Sequence, residues 1–286
     1  MSLPVEGRWS IHRVAEDDAH SALEFLRRDP LINVYLISRL LEEPVAAASQ
    51  MVVVRLNGAI VLVASLASNI VLATEPALAP EITDAAVGLV ADRILLRMLP
   101  VRAIISPAEL VEQLWGRLGS RIDPPTVVRM NQPVYALAHA DGFPDLESAR
   151  YSTLRDLDAL VPACAAMHRE EVGIDPLERD AAGYRERIRE LVTGRRSIVK
   201  VENDTIVAKC EYSAVTDQAV QLMGVWTHPA HRRRGHSRAT LRETCGHLLR
   251  TGKVVTLFVN DFNAPAIRLY EELGFERIGL NRALIW

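Results

Sequence analysis

The stretch that decides the fold is His228-PAHRRRGHSRA-Thr240, which joins an apolar run, VQLMGVW (Val220–Trp226), to a helix-like run, RATLRETCGHLLR (Arg238–Arg250). A strand that runs into Arg232-Arg233-Arg234-Gly235-His236-Ser237 and then a helix presents unpaired backbone N–H groups at the positive end of a helix dipole. Such an end binds anions. Gly235 permits close approach of a ligand or a positive φ. Ser237 is small and suits a helix start, and five arginines lie between Arg232 and Arg242. The pattern fits a pyrophosphate. It is not a P-loop, because no Gly-Lys-Ser/Thr follows, and it lacks the three spaced glycines of a dinucleotide fingerprint. An isolated Arg-Arg-Arg-Gly suits a solvated helix start equally well, so its surroundings decide.

The composition narrows those surroundings. The chain has 286 residues, 49% hydrophobic and 24% charged, which is ordinary globular material of one large or two medium domains. A net charge of -3 gives no global attraction to nucleic acid or an anionic membrane, so any basic site is local. Cys164, Cys210 and Cys245 are too few and too scattered for a disulfide framework or a metal knuckle, which points to a reducing, cytoplasmic setting. The start, MSLPVEGRWS, has no signal pattern. The nineteen uncharged residues from Leu56 to Thr74 reach the length of a membrane span. Asn57-Gly58, Ser65, Ser68 and Asn69 interrupt them at turn-like intervals, so strands are expected and no membrane association.

Periodicity gives the second half a short strand near Ala149–Leu154, helices over LDALVPACAAMH and AAGYRERIRELV, and strands SIVKVE, TIVAKCEYSA and AVQLMGVWT. After the basic turn come a helix from about Ser237 to Arg250, a strand VVTLFVN, a helix APAIRLYEELG and a strand FERIGLNRALIW. The order is β-αα-βββ-α-β-α-β. The first half, from WSIHRV to TVVRMNQPVYALA, repeats that order, and HADGFPDLES reads as a linker. We therefore expect an α/β (α+β) chain of two tandem units, 1–142 and 143–286, each a mixed, mostly antiparallel central sheet flanked by helices. The turn differs between them. The first half has EPALAPEIT where the second has its arginines.

With these residues in view, the sequence resembles the GNAT acyltransferase superfamily, whose acyl-CoA loop reads Arg/Gln-x-x-Gly-x-Gly/Ala. Arg232 and Gly235 match it, Pro229 sits at the family's proline, and Ser237 replaces the last small residue. Downstream, LFVNDFNAPAIRLYEELGF resembles the second signature through Asn263, Ala266, Tyr270, Gly274 and Phe275. The resemblance covers roughly residues 149 to 286. MHREEVGIDP and GVWTHP add a likeness to the FR47-like branch, and the first half looks like a degenerate unit of a tandem member.

The resemblance implies an N-acetyltransferase with acetyl-CoA as donor and a small-molecule or peptide amine as acceptor. Pantetheine would lie between two splayed strands, pairing near Val225 and Thr227. Arg232, Arg233, Arg234, Gly235, His236 and Ser237 would hold the pyrophosphate, with Asn263 beyond. Tyr270 matches the tyrosine that protonates the departing thiolate. An alkylammonium of pKa about 10.4 is neutral in only about one molecule in 2,500 at pH 7, at a cost of roughly 4.6 kcal/mol, so a base is needed. Glu211 is the first candidate. Gln221 stands where many members carry a glutamate. Glu170 and Glu171 are rivals, or contacts to a cationic acceptor.

Asn263 also suits an N-cap before Ala264-Pro265, and Tyr270 a core aromatic. His228, His231 and His236 cluster within nine residues, but no neighbouring acid or cysteine completes a ligand set, so no metal is expected. Cys210 and Cys245 read as core rather than nucleophiles. A non-catalytic acyl-CoA-binding regulatory module is the alternative function. A nucleic-acid contact explains neither Asn263 nor Tyr270. The sequence is silent on oligomeric state and on the identity of the acceptor.

Overall fold

Strand Met51–Leu56 shows why the first unit reads as unbroken apolar runs. Val52 and Val54 are buried in one hydrophobic cluster with Leu62, Leu72, Val87 and Ile94. Met51 and Val53 are buried in a second cluster with Phe25, Leu26 and Ile37. Successive side chains of a strand point to opposite faces, so a sheet covered on both sides needs apolar residues at every position. The computed structural model describes residues 6–42, 44–139 and 141–286. The first five residues of the N-terminal segment and Ala140 of the expected linker lie outside these.

The chain divides into two compact units. The first comprises residues up to Val134 together with Phe258–Ala264 and Arg277–Trp286. Its elements are β1 (Trp9–Arg13), α1 (Glu16–Leu26), α2 (Val34–Glu42), α3 (Pro44–Gln50), β2 (Met51–Leu56), β3 (Ala59–Leu66), β4 (Asn69–Thr74), α4 (Pro80–Arg97), β5 (Ala103–Pro107), α5 (Ala108–Leu118) and most of β6 (Val127–Leu137). Asn57 and Gly58 both take positive φ, 51° and 87°, as a two-residue hairpin turn requires. The uncharged run thus forms strands. No described helix is long and apolar enough to cross a membrane.

The second unit comprises Tyr135–Leu257 and Pro265–Glu276. It holds β7 (Ala149–Tyr151), α6 (Leu157–Val172), α7 (Pro176–Thr193), β8 (Ser197–Glu202), β9 (Thr205–Val215), β10 (Ala219–Thr227), α8 (His236–Arg250), β11 (Val254–Phe258) and α9 (Ala264–Glu272). β12 (Glu276–Ile285) ends the chain. Helices α6 and α7 cover one sheet face through Leu160, Val161, Cys164, Ile188 and Val192, against Val199, Ile206 and Trp226.

The expected mixed, mostly antiparallel sheets are present. In the first unit the strand order is β1-β2-β3-β4-β5-β12-β6, and in the second β6-β11-β10-β9-β8-β7. Only β4 with β5 and β10 with β11 are parallel among the ladders described.

Two features differ from the sequence expectation. Helix α3 was not anticipated. The last strand, expected to finish the second unit, pairs antiparallel with β5, from Asn281 opposite Pro107 to Ile285 opposite Ala103. Each compact unit therefore draws on more than one stretch of the chain. The final strand of the chain thus lies beside β5, within the first unit.

Candidate functional site: the bulged strand and basic turn

β10 and β11 start as neighbours and then part. Their ladder has three pairs, Ala219–Val254, Val220–Val255 and Gln221–Thr256, although β10 runs on to Thr227. Beyond Gln221 the two strands form no further ladder pair among the described residues. On its other side β10 follows β9, but the register slips between Met223 and Trp226, opposite Glu211 and Lys209. Gly224 sits in this bulge at φ +61°. A Cβ there would stand 2.1 Å from Glu211 Oε2, so glycine is required by both backbone and space. Val225 follows in the bulge, between the last regular pair at Met223 and the next at Trp226.

The bulge rests on a buried ion pair. Lys209 Nζ donates to Glu211 Oε1 at 2.8 Å and to the Gly224 carbonyl at 3.1 Å. The two side chains are 0% and 4% exposed. Burial, the largest single influence, would lower the Lys209 pKa, but the charge of Glu211, its hydrogen bond and the neighbouring Cys164 and Tyr184 together outweigh it and hold the ammonium well above its usual range. Cys164 Sγ also donates to Glu211 Oε1, at 3.0 Å. Burial pushes that thiol far up, so it stays protonated.

Past Thr227 the chain makes a tight 3-10 turn at Pro229–His231, with the Ala230 N–H donating to His228 Nδ1. Arg232 donates from Nε to the Thr227 carbonyl at 3.2 Å and from its terminal nitrogen to Glu170 Oε2 at 2.5 Å. Trp226 Nε1 donates to the other Glu170 oxygen at 3.4 Å. Arg233 takes φ +61° and Gly235 φ +82°, which turns the chain into α8. That helix starts without a side-chain cap and with no acid in its first turn. Its first N–H groups are therefore unsatisfied within the helix, and Arg232, Arg233, Arg234 and Gly235 are exposed beside them. An added Cβ on Gly235 would meet open space, so only its φ demands glycine. Ser237 Oγ bonds Thr227 Oγ1, closing the turn onto the end of β10.

Tyr270 lies on α9, 6% exposed, its ring 5.7 Å from that of Phe275. Burial first, then the charge of Glu171, push its phenol well above the usual range. Asn263 falls in the first unit, just before α9, and its N–H donates to the Asn260 carbonyl.

Val225 and Thr227 lie on β10, and Arg232, Arg233, Arg234, Gly235, His236 and Ser237 on the turn after it and the start of α8. Glu211, expected as base, is buried and paired to Lys209. Glu170, expected at the acceptor site, is engaged by Arg232 and Trp226. The pairing of Lys209 with Glu211 was readable, since residues two apart on a strand share a face. The expectation that no acid accompanies the three histidines fails. Glu202, at the end of β8, has Oε1 3.5 Å from His236 Nδ1.

Comparison with known proteins agrees with this geometry. Residues 164–275 match the model of the acetyltransferase (GNAT) family, and residues 66–160 match a domain of unknown function, DUF4081. No curated protein matches the chain. An acetyltransferase from the GNAT family of Colwellia psychrerythraea superposes with a TM-score of 0.57 at 12% identity, over 97% of this chain and 100% of that one. A GCN5-related N-acetyltransferase from Sphaerobacter thermophilus gives 0.59 at 16%, over 96% and 94%. A tandem GNAT protein from the clavulanic acid biosynthesis pathway gives 0.57 at 16%, over 98% of each. At such identities the likeness is one of fold.

Proposed function

We propose, from the premise that the chain carries a GNAT-family acetyltransferase domain, that its second unit transfers an acetyl group from acetyl-CoA directly to a primary amine. Membership of the family supports acyl-CoA-dependent N-acetyl transfer in general, and the residues supply the particulars. The observation that carries the reading is the parting of β10 from β11 at Gln221–Thr256, immediately before a helix whose uncapped start is lined by arginines.

In this reading the first-turn N–H groups of α8 and the guanidiniums of Arg232, Arg233 and Arg234 hold the pyrophosphate. To engage it, Arg232 exchanges its bond to Glu170. Pantetheine lies along the edge of β10 beyond Gln221, toward Thr227. The Val225 N–H points at the thioester oxygen, where a fixed donor to a developing oxyanion contributes about 3–4 kcal/mol. Lys209 and Glu211 hold the bulge that aims this donor, which makes Glu211 a positioning residue rather than the base. Glu171, whose charge already acts on Tyr270, takes the proton of the amine, directly or through water. Tyr270, kept protonated by its burial, returns a proton to the thiolate.

The ion pair at Glu211 favours one second reading, an acyl-CoA-binding module without turnover. Thiol release from acetyl-CoA in the presence of a panel of small amines and peptide N-termini separates the two. Amine-dependent release supports the enzyme. Tight acetyl-CoA binding with no release across the panel would favour the module.

A further inference from the structure

The side chains of Glu202, His231 and His236 are not used in the acyl transfer proposed above, which draws on His236 only through its backbone N–H at the start of α8. One ligand atom from each lies within 4.8 Å of the others. The three come from separate places in the second unit: the end of β8, the 3-10 turn after β10, and the first residue of α8. The rings of His231 and His236 meet edge-on with centroids 5.9 Å apart. His236 is 10% exposed at its side chain, whereas Glu202 is 42% exposed, with Lys200 Nζ 3.9 Å from the same Oε1 as the cation that a metal ion would displace. A second, independent observation points to a missing ligand. Nδ1 of His231 is buried without a hydrogen-bond partner among the described residues, although buried polar atoms are nearly always satisfied.

We propose that Glu202, His231 and His236 bind a divalent transition-metal ion, zinc foremost, which ties the β8–β9 turn to the pyrophosphate-binding turn. Two imidazoles and one carboxylate are a donor set that zinc accepts and that magnesium and calcium, which prefer all-oxygen shells, do not. Donors at zinc-ligand distances stand about 3.3–3.6 Å apart around a tetrahedral ion. The 3.5 Å between Glu202 Oε1 and His236 Nδ1 already meets this. The remaining separations, within 4.8 Å, close by small rotations of the Glu202 side chain and the imidazole rings. A fourth position stays open to water. The ion would fix the path of the chain from His231 to His236, including Arg233 and Gly235 with their positive φ. Arg232, Arg233 and Arg234 weaken its binding by repulsion but occupy none of its ligands, since Arg232 pairs with Glu170 and the other two are exposed.

The test uses the full chain, stripped with a chelator and titrated with zinc, and with cobalt as a spectroscopic probe. Neither titration requires acetyl-CoA, so its outcome is separate from that of the acyl-transfer reading. The proposal expects one ion per chain, visible d–d bands of a tetrahedral cobalt centre, and a rise in melting temperature with zinc. Glu202→Gln, at an exposed side chain that does not threaten folding, and His231→Ala are each expected to weaken zinc by roughly 100-fold or more, beyond what loss of an outer-shell partner does. His139→Ala, at an exposed histidine outside the ligand set, is expected to bind as the parent does. No bound ion in the parent chain, or equal binding by Glu202→Gln and His231→Ala, would overturn it.

Discussion

The two units share a strand order and differ at one junction, where a parallel pair opens. In the first unit β3 and β4 pair without a slip from Leu62–Thr74 to Leu66–Ile70, and the Leu72 N–H is satisfied by Ser106 Oγ of β5 at 2.8 Å. In the second unit β10 is bulged against β9. Counting three residues on from the first parallel pair, β11 carries Leu257 where β5 carries Ser106. Leucine offers no acceptor, so the bond that Ser106 makes to the Leu72 N–H in the first unit has no counterpart from Leu257 in the second.

The helices that follow differ in the same sense. α4 begins with Pro80, which lacks an N–H, and has Glu81 in its first turn. It carries its own anion. α8 begins after a left-handed glycine with no acid and must find one. A shared topology thus comes to differ at this junction through a few side chains.

The largest expected effect tests the bulge. Lys209→Met leaves Glu211 buried without its cation and is expected to destabilise the chain by about 3–5 kcal/mol in chemical denaturation. Pairing it with Glu211→Leu is expected to restore most of that stability but not turnover, because the bulge loses its anchor. Recovery of full turnover in the double variant would show that the pair has no part in aiming Val225.

Tyr270→Phe is expected to lower turnover by roughly 10- to 1,000-fold, at the lower end for a general acid, with little change in acetyl-CoA affinity. Unchanged turnover would remove Tyr270 from the proton path. In the first unit, Ser106→Ala strips the buried Leu72 N–H of its acceptor. A loss of about 1–3 kcal/mol in stability is expected, with acetyl-CoA affinity unaltered. An altered affinity would mean that the first unit also binds.

The smallest effect concerns Glu243 on α8. It accepts from the N–H groups of Glu147, Ser148 and Ala149 at 2.9, 2.9 and 2.7 Å. Burial alone would raise its pKa, but these bonds and the Ser148 hydroxyl hold it below the usual glutamate range. A lowered folded-state pKa means that the stability it contributes is present above the unfolded value and is lost as pH falls through the folded one. Glu243→Gln is therefore expected to flatten the acid limb of the stability profile by a small amount. An identical acid limb would contradict the coupling.

Much of this was legible in the sequence, and the exceptions have physical causes. The element order follows from local periodicity, and the basic turn from composition within a single loop. Helix α3, PVAAASQ, is short, opens on proline and has no apolar stripe, so it left no periodic signal. The partner of β12 is a non-local choice that strand propensity does not encode. Glu202 reaches His231 and His236 only because a hairpin end and a loop meet in space. The three backbone donors to Glu243 were hidden for the same reason, whereas the pairing of Lys209 with Glu211 was written in their spacing.

The most direct measurement is calorimetric titration of the purified chain with acetyl-CoA and CoA, beside a variant with Arg232→Ala and Arg234→Ala. If the turn after β10 holds the pyrophosphate, the parent binds both ligands with micromolar affinity, and the variant is weaker by about 100-fold or more, as the loss of two charge-assisted contacts predicts. Binding of equal strength by the variant, or no binding by the parent, would contradict the account.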